Sequence, residues 1–279
     1  MTIQRINARL PLREFYLNYY IPRKPVILQT DGLHNLGWHV DRWTDGYLIE
    51  KAGDQKVKVL QRNSASAFGP DNSKYKLFEF ADFIHQVMAA EQGDQDLYLN
   101  LQNIATNDVL LPPVAQLKDD FDVPPVFKDI ELRSVNIWMG NNQGTTTTHL
   151  HHDYNDNLYV VVEGRKHFTI FPPEQAANLY PRGEIRHVQK NGLVRYKSFA
   201  DPPMPHFSRL DPDTVDLEKY PAYKQAETSR VDFHVEQHEI LFLPAGWFHK
   251  VSSIGRHIAL SFFAAVPTTA ELAAMADTA

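Results

Sequence analysis

The stretch TTTTHLHHDYNDNLYVVVEGRKHF, residues 145–168, decides how the chain is read. Its first half crowds three histidines and two aspartates into positions 149–156, and its second half runs into an apolar strand. Side chains two apart on a strand point to the same face, so strict alternation puts His149, His151 and Asp153 on one face and Leu150 and His152 on the other. Two histidines and one carboxylate on one face of an octahedron leave three adjacent positions open, the pattern that lets Fe(II) take substrate and oxygen together. A further ligand has to come from elsewhere. The segment LPAGWFHKV (243–251) offers His249, 98 positions after His151, behind a Pro-x-Gly turn that would aim its imidazole back into a barrel.

Outward from this stretch the chain is mostly strand. RSVNIWMG (133–140), NLYVVVEG (157–164), RKHFTIFPP (165–173), EILFLPAG (239–246), WFHKVSS (247–253) and RHIALSFF (256–263) all carry strand signals. Glu163-Gly164, between two such runs, predicts a tight hairpin. Residues 174–238 are rich in Pro, Asp and Lys with little periodicity, and read as one long insertion between barrel strands that covers a site. Residues 1–120 mix helical stretches, LREFYLNYY (12–20) and LFEFADFIHQVMAAEQ (77–92), with short strands, KPVILQ and VKVLQ. They read as a helical N-terminal elaboration of a barrel spanning about 121–266, followed by a short C-terminal tail at 267–279. With no repeat and no low-complexity linker, the expectation is one domain over residues 1–279, mainly β with a helical flank.

Composition removes several chemistries. The chain has 279 residues, 43% hydrophobic and 22% charged, enough to bury a core. It contains no cysteine, so disulfides, thiolate metal sites and cysteine nucleophiles are excluded, and any metal must be held by nitrogen and oxygen. A net charge of −6 leans away from a protein whose main task is gripping phosphate backbones. The N-terminus lacks the apolar core of a signal peptide, and no apolar run approaches the roughly 20 residues that span a bilayer. A cytoplasmic location and no membrane partner are the expectations.

THLHHDYNDNLYVVVEGRKHFTIFPP (148–173), HEILFLPAGWFHKV (238–251) and the looser DLYLNLQ (96–102) and VNIWMGNNQGT (135–145) resemble the JmjC-type, cupin-like oxygenases that use Fe(II) and 2-oxoglutarate. The resemblance runs over nearly the whole chain, including YIPRKPVIL (20–28) and DLEKYPAYKQAE (216–227), and is to the small hydroxylases of that family. It implies a double-stranded β-helix, or jelly roll, with iron held by His151, Asp153 and His249, and with His149 a neighbour of the metal. It also implies O2 and 2-oxoglutarate as cosubstrates. The far carboxylate of 2-oxoglutarate would meet Lys166, helped by the hydroxyls of Thr148 and Tyr98, while Asn157 would donate near the metal-chelating end. A buried carboxylate needs such a cation and donors. Two features depart from relatives: EQHEILFLP (236–244) lacks the Gly-Asp pair that many carry, and Ser261 and Phe263 stand where some have asparagine and tryptophan. Ser261 remains a candidate cosubstrate contact.

The implied reaction is oxidative decarboxylation of 2-oxoglutarate coupled to hydroxylation of a C–H bond, with loss of an N-methyl group an alternative outcome. A protein or peptide side chain is the leading substrate. A modified tRNA base or a small molecule is the alternative, and Asn100, Trp138 and the insertion are candidate cleft residues. Many relatives dimerise through terminal helices, which leaves a homodimer open. Two other readings stand against this one. A cupin metalloenzyme independent of 2-oxoglutarate would use His149, His151 and His249, and a barrel without catalysis would only bind. A lone strand histidine is most often packed or exposed, so His152, His167, His187, His206, His234, His238 and His257 read as structural.

Overall fold

The computed structural model describes residues 2–62, 69, 73–90, 97–100, 108–142 and 144–278. Among these, fifteen strands follow in chain order: β1 (Gln4–Asn7), β2 (Val26–Gln29), β3 (Lys56–Arg62), β4 (Ser73–Glu79), β5 (Leu97–Leu99), β6 (Leu132–Gly140), β7 (Thr145–His152), β8 (Asp156–Glu163), β9 (Lys166–Phe171), β10 (Ile185–Val188), β11 (Val194–Tyr196), β12 (Val231–Val235), β13 (Ile240–Leu243), β14 (Phe248–Ile254) and β15 (His257–Ala264). The helices are α1 (Leu12–Phe15, continued by a π-helical turn to Tyr20), α2 (Asp45–Ala52), α3 (Phe80–Phe83, continued to Met88), α4 (Tyr223–Glu227) and α5 (Thr269–Thr278).

Two sheets make the jelly roll. One has nine strands in the order β1-β2-β13-β8-β15-β6-β5-β3-β4, and the other has four in the order β12-β9-β14-β7. Between them lies a core built from alternate residues of each: Ile27, Tyr159, Val161, Leu241, Leu243 and Ala259 from the large sheet, Phe168, Ile170, Val231, Phe233 and Val235 from the small one. The other residues of the same large-sheet strands, among them Leu158, Val160, Phe242, Leu260 and Phe262, pack outward under Phe15, Tyr20, Trp38 and the N-terminal helices. That double coverage explains why β8 is buried at every position from Asp156 to Val162 and reads as a continuous apolar run. A third cluster, including Leu150, Phe171, Tyr196 and Tyr223, joins the outer face of the small sheet to the segment that follows β9.

The structure corrects four expectations. Glu163-Gly164 is a crossover between sheets and not a hairpin. Both edges of β8 are already paired, with β13 and β15, so β9 can only enter the other sheet. Gly164 makes the crossing with φ of 75°, where an added Cβ would sit 2.5 Å from the Arg256 carbonyl oxygen. Second, the N-terminal region is a flank of strands as much as of helices, because β1 to β5 all extend the large sheet. Third, the helix expected at 77–92 starts only at Phe80, since Leu77–Glu79 pair with β3; Glu91 and Gln92 lie outside the described residues. Fourth, the insertion is shorter than 174–238. It holds a 3-10 turn at Pro173–Leu179, the hairpin β10–β11 and α4, and it ends before β12, which pairs with β9 as a barrel strand. Val231, Phe233 and Val235 point in while Asp232 and His234 point out, so the period of two was present in VDFHV.

Candidate metal centre

His151 on β7 and His249 on β14 are directly paired across the small sheet, and Asp153 follows β7 by one residue. Among the described residues these three form the group whose ligand atoms converge, all within 4.8 Å of one another. Asp153 Oδ2 is 3.5 Å from His249 Nε2, and Oδ1 is 4.0 Å from His151 Nε2. Each ring is fixed by its other nitrogen: His151 Nδ1 donates to the His149 carbonyl at 2.7 Å, and His249 Nδ1 donates to the Trp247 carbonyl at 3.0 Å. A carbonyl only accepts, so each Nε2 is left with its lone pair toward the centre, as a metal ligand requires. Burial, reinforced by His249, holds the His151 pKa well below the ordinary histidine range and keeps the ring neutral. Burial also raises the Asp153 pKa, with His249 opposing. Two imidazoles with Nε2 turned inward and a carboxylate between them are the donor set of a divalent metal site.

His149 leaves this face for a physical reason. Val251 pairs with Thr148 and His249 with His151, so His149 and Leu150 together oppose the single residue Lys250. This is a β-bulge, and it breaks the alternation that would have grouped His149 with His151. Thr148 and His151, three apart, both line the cavity at the centre, whereas His149 does not. Its contribution is the carbonyl that orients His151.

The turn before His249 is equally constrained. Gly246 has φ of 83°, its N–H donates to the Asp153 carbonyl at 3.0 Å, and an added Cβ would lie 1.9 Å from the Gly192 carbonyl oxygen. Gly246→Ala should therefore lower stability by roughly 3 kcal/mol, read as a lower urea midpoint at unchanged m-value. A midpoint equal to that of wild type would show that the turn relaxes.

The cavity is lined by Tyr98, Trp138, Thr148, Asn157, Tyr159, Ser261, His151, Asp153 and His249, with Phe168, Leu243, Val251 and Phe263 as apolar wall. Lys166 opens β9 beside it and is 1% exposed. Its Nζ donates to Tyr98 Oη at 3.2 Å and to Ser253 Oγ at 3.3 Å. Among the described residues no carboxylate stands within ion-pair distance, and burial alone pushes its pKa well below the ordinary lysine value. Tyr98 and Tyr159 share a hydroxyl hydrogen bond, and burial raises the pKa of both. Ser261 accepts from Trp138 Nε1 at 2.7 Å and from Asn157 Nδ2 at 3.3 Å, which leaves the buried Asn157 Oδ1 with no partner. A buried lysine with no carboxylate beside it among the described residues fits an incoming carboxylate better than an empty core.

His151, Asp153, His249, Thr148, Tyr98, Asn157, Ser261 and Trp138 thus line one cavity and Lys166 reaches it through Tyr98, whereas His149 and Asn100, which follows β5 and is half-buried, do not line it. Four residues were missed. Ser253 lies two and four positions beyond Val251 and His249 on β14, so alternation alone would have found it. His257, fully buried with Nε2 3.2 Å from Ser253 Oγ, was read as structural and carries no local signal. Phe207 stacks on the His151 ring at 4.9 Å and 11°, and His206 packs edge-on to it at 6.4 Å. Both come from the insertion, where no period announced them.

The cupin-like domain family matches residues 11–265. The human bifunctional peptidase and (3S)-lysyl hydroxylase JMJD7 is 35% identical over 273 residues, covering 89% of this chain and 79% of that protein. JmjC domain-containing protein 4 of Schizosaccharomyces pombe is 30% identical over 70% of this chain, which spans only 43% of that relative's length. The tRNA wybutosine-synthesizing protein 5 of Danio rerio is 27% identical over 89% of this chain and 71% of its own. No helix among the described residues is long and apolar enough to cross a membrane. Jelly roll, convergent His-Asp-His group and matched sequence agree: this chain belongs to the cupin-like, JmjC-domain family.

Proposed function

We propose that this protein is an Fe(II)- and 2-oxoglutarate-dependent oxygenase that hydroxylates a C–H bond of a protein side chain. The observation that carries the reading is Lys166, a buried lysine with no carboxylate partner among the described residues, whose Nζ hydrogen-bonds to Tyr98 in the wall of the cavity that the convergent His-Asp-His group also lines. His151, Asp153 and His249 would hold the metal. Bound Fe(II) with 2-oxoglutarate and O2 supplies the oxidising power, with succinate and CO2 as coproducts. The chain's own groups bind and orient. Lys166 would meet the far carboxylate, Tyr98 and Thr148 would offer hydroxyl donors to it, and Asn157, held by Ser261, would stand near the chelating end. Trp138 stacks on Tyr98 at 6.2 Å and walls the cavity, while Phe207 shields the face of His151 from water.

Support for a polypeptide substrate comes from the 35% identity to a protein named as a lysyl hydroxylase. It also comes from the apolar Phe199 and Met204, about half exposed, on the segment that carries His206 and Phe207 beside the ligands. Similarity to the wybutosine-synthesizing protein favours a second reading, hydroxylation of a modified tRNA base. The test is anaerobic titration of 2-oxoglutarate into Fe(II)-loaded protein, followed by its visible charge-transfer band. Wild type and His149→Ala should show the band and Lys166→Ala should not. Absence of the band in wild type at saturating 2-oxoglutarate would overturn the reading and leave the three-histidine cupin as the working hypothesis. In air, succinate release with a 16 Da gain on added polypeptide rather than on tRNA separates the substrates.

A further inference from the structure

Arg23 is remote in sequence from all three ligand residues, is 8% exposed, and holds φ of 57°, a backbone conformation uncommon outside glycine. Its guanidinium grips Asp156, which is fully buried: Nη1 donates to Oδ2 at 2.8 Å and Nη2 donates to Oδ1. Its Nε donates to the Asn191 carbonyl at 3.1 Å, next to the Gly192 against which Gly246 is packed. Asp156 Oδ1 also accepts the Ala245 N–H at 2.9 Å, and the Arg23 carbonyl accepts the Trp247 indole N–H at 3.0 Å. The Asp156 carboxylate, gripped by the Arg23 guanidinium, therefore holds the Ala245 end of Ala245-Gly246-Trp247, and the Arg23 backbone carbonyl holds the Trp247 end. From inside that tripeptide, the Gly246 N–H fixes the Asp153 backbone and the Trp247 carbonyl fixes the His249 ring.

We infer that Arg23 and Asp156 are a positioning pair that sets the metal-ligand geometry, acting on Asp153 through Gly246 and on His249 through Trp247. The inference rests on the reading that His151, Asp153 and His249 bind a metal. Two of the three ligands lie one hydrogen-bonded residue from the pair, and Asn157 is the next residue after Asp156. A planar fork is needed, because one group must satisfy both Asp156 oxygens and the Asn191 carbonyl at once, and a lysine ammonium at that site has neither the reach nor the geometry.

The experiment is Co(II) binding to the full chain, read as dissociation constant and visible d–d spectrum at a temperature well below each variant's melting transition. Arg23→Lys keeps the charge and should weaken Co(II) binding about 10- to 100-fold, the range seen when an outer partner of a ligand is lost, with an altered d–d band. Trp247→Phe keeps an aromatic side chain but removes the indole N–H together with part of the ring volume, and should move the same two quantities in the same direction by less. Where Arg23→Lys does not fold, Trp247→Phe decides. Arg256→Lys, which disturbs an ion pair with Asp45 and Glu163 far from the ligands, should leave both quantities at wild-type values. Lower melting temperatures with unchanged affinity and spectrum in Arg23→Lys and Trp247→Phe would overturn the inference, as a merely structural pair predicts. Failure of wild type to bind Co(II) in a way that His151→Ala abolishes would instead overturn the reading of the ligand group.

Discussion

Asp153→Ala should lower the affinity for Fe(II), or for Co(II) in its place, by more than about a hundredfold, beyond the upper end of what loss of an outer hydrogen-bond partner costs. Asp153 is the only anion in the convergent group, and its two oxygens face both imidazole Nε2 atoms. Without it, two neutral nitrogens remain against the hydration of a divalent ion. Asp153→Asn keeps the shape and one carbonyl oxygen but loses the charge, so it should fall between wild type and alanine. The apo fold should survive either change. The side chain is 28% exposed, and the hydrogen bond that holds the turn uses the Asp153 backbone carbonyl, which the substitutions leave in place. Calorimetric metal titration alongside thermal unfolding checks both statements. Wild-type affinity in Asp153→Ala, with affinity lost in His149→Ala, would assign the three-histidine set instead.

How much of this was legible in the sequence depends on whether a signal was local. Spacing on a strand put His149, His151 and Asp153 forward together and the Pro-x-Gly turn put His249 forward, all local features, but the choice of His151, Asp153 and His249 came from the family resemblance. The place of His149 could not be read, because the bulge that removes it is a property of the pairing between β7 and β14 and not of TTTTHLHH. The Glu163-Gly164 hairpin failed for the same reason: a turn signal says that the chain turns, while the occupied edges of β8 decide where it goes. Lys166 could be named by resemblance, but that it is buried, with no carboxylate beside it among the described residues, is visible only once β9 lies inside the roll. Arg23 had no signal at all. Its partners are 133 residues away at Asp156 and 224 away at Trp247, and only the closed fold brings them together.

Lys166→Met should separate function from stability in opposite directions. The far carboxylate of 2-oxoglutarate, left without its cation in a buried site, should bind at least about 30-fold more weakly, the lower end of the roughly 2–5 kcal/mol lost when one partner of a buried charge pair is removed. The apo protein should become more stable. In wild type the lysine head group is held out of water with, among the described residues, the Tyr98 and Ser253 hydroxyls as its acceptors, and a thioether of similar length carries no such penalty. The sign of the pH dependence follows. Burial depresses the folded-state pKa of Lys166 below its ordinary 10.5, so between those two values the unfolded chain binds more protons than the folded one. Stability contributed at this position therefore rises with pH across that window, and Lys166→Met should flatten the rise. Added 2-oxoglutarate should raise the melting temperature of metal-loaded wild type and leave that of Lys166→Met unchanged. An apo variant less stable than wild type would mean that the lysine is held for packing. Equal thermal response to the dicarboxylate in both proteins would place the anion elsewhere in the chain.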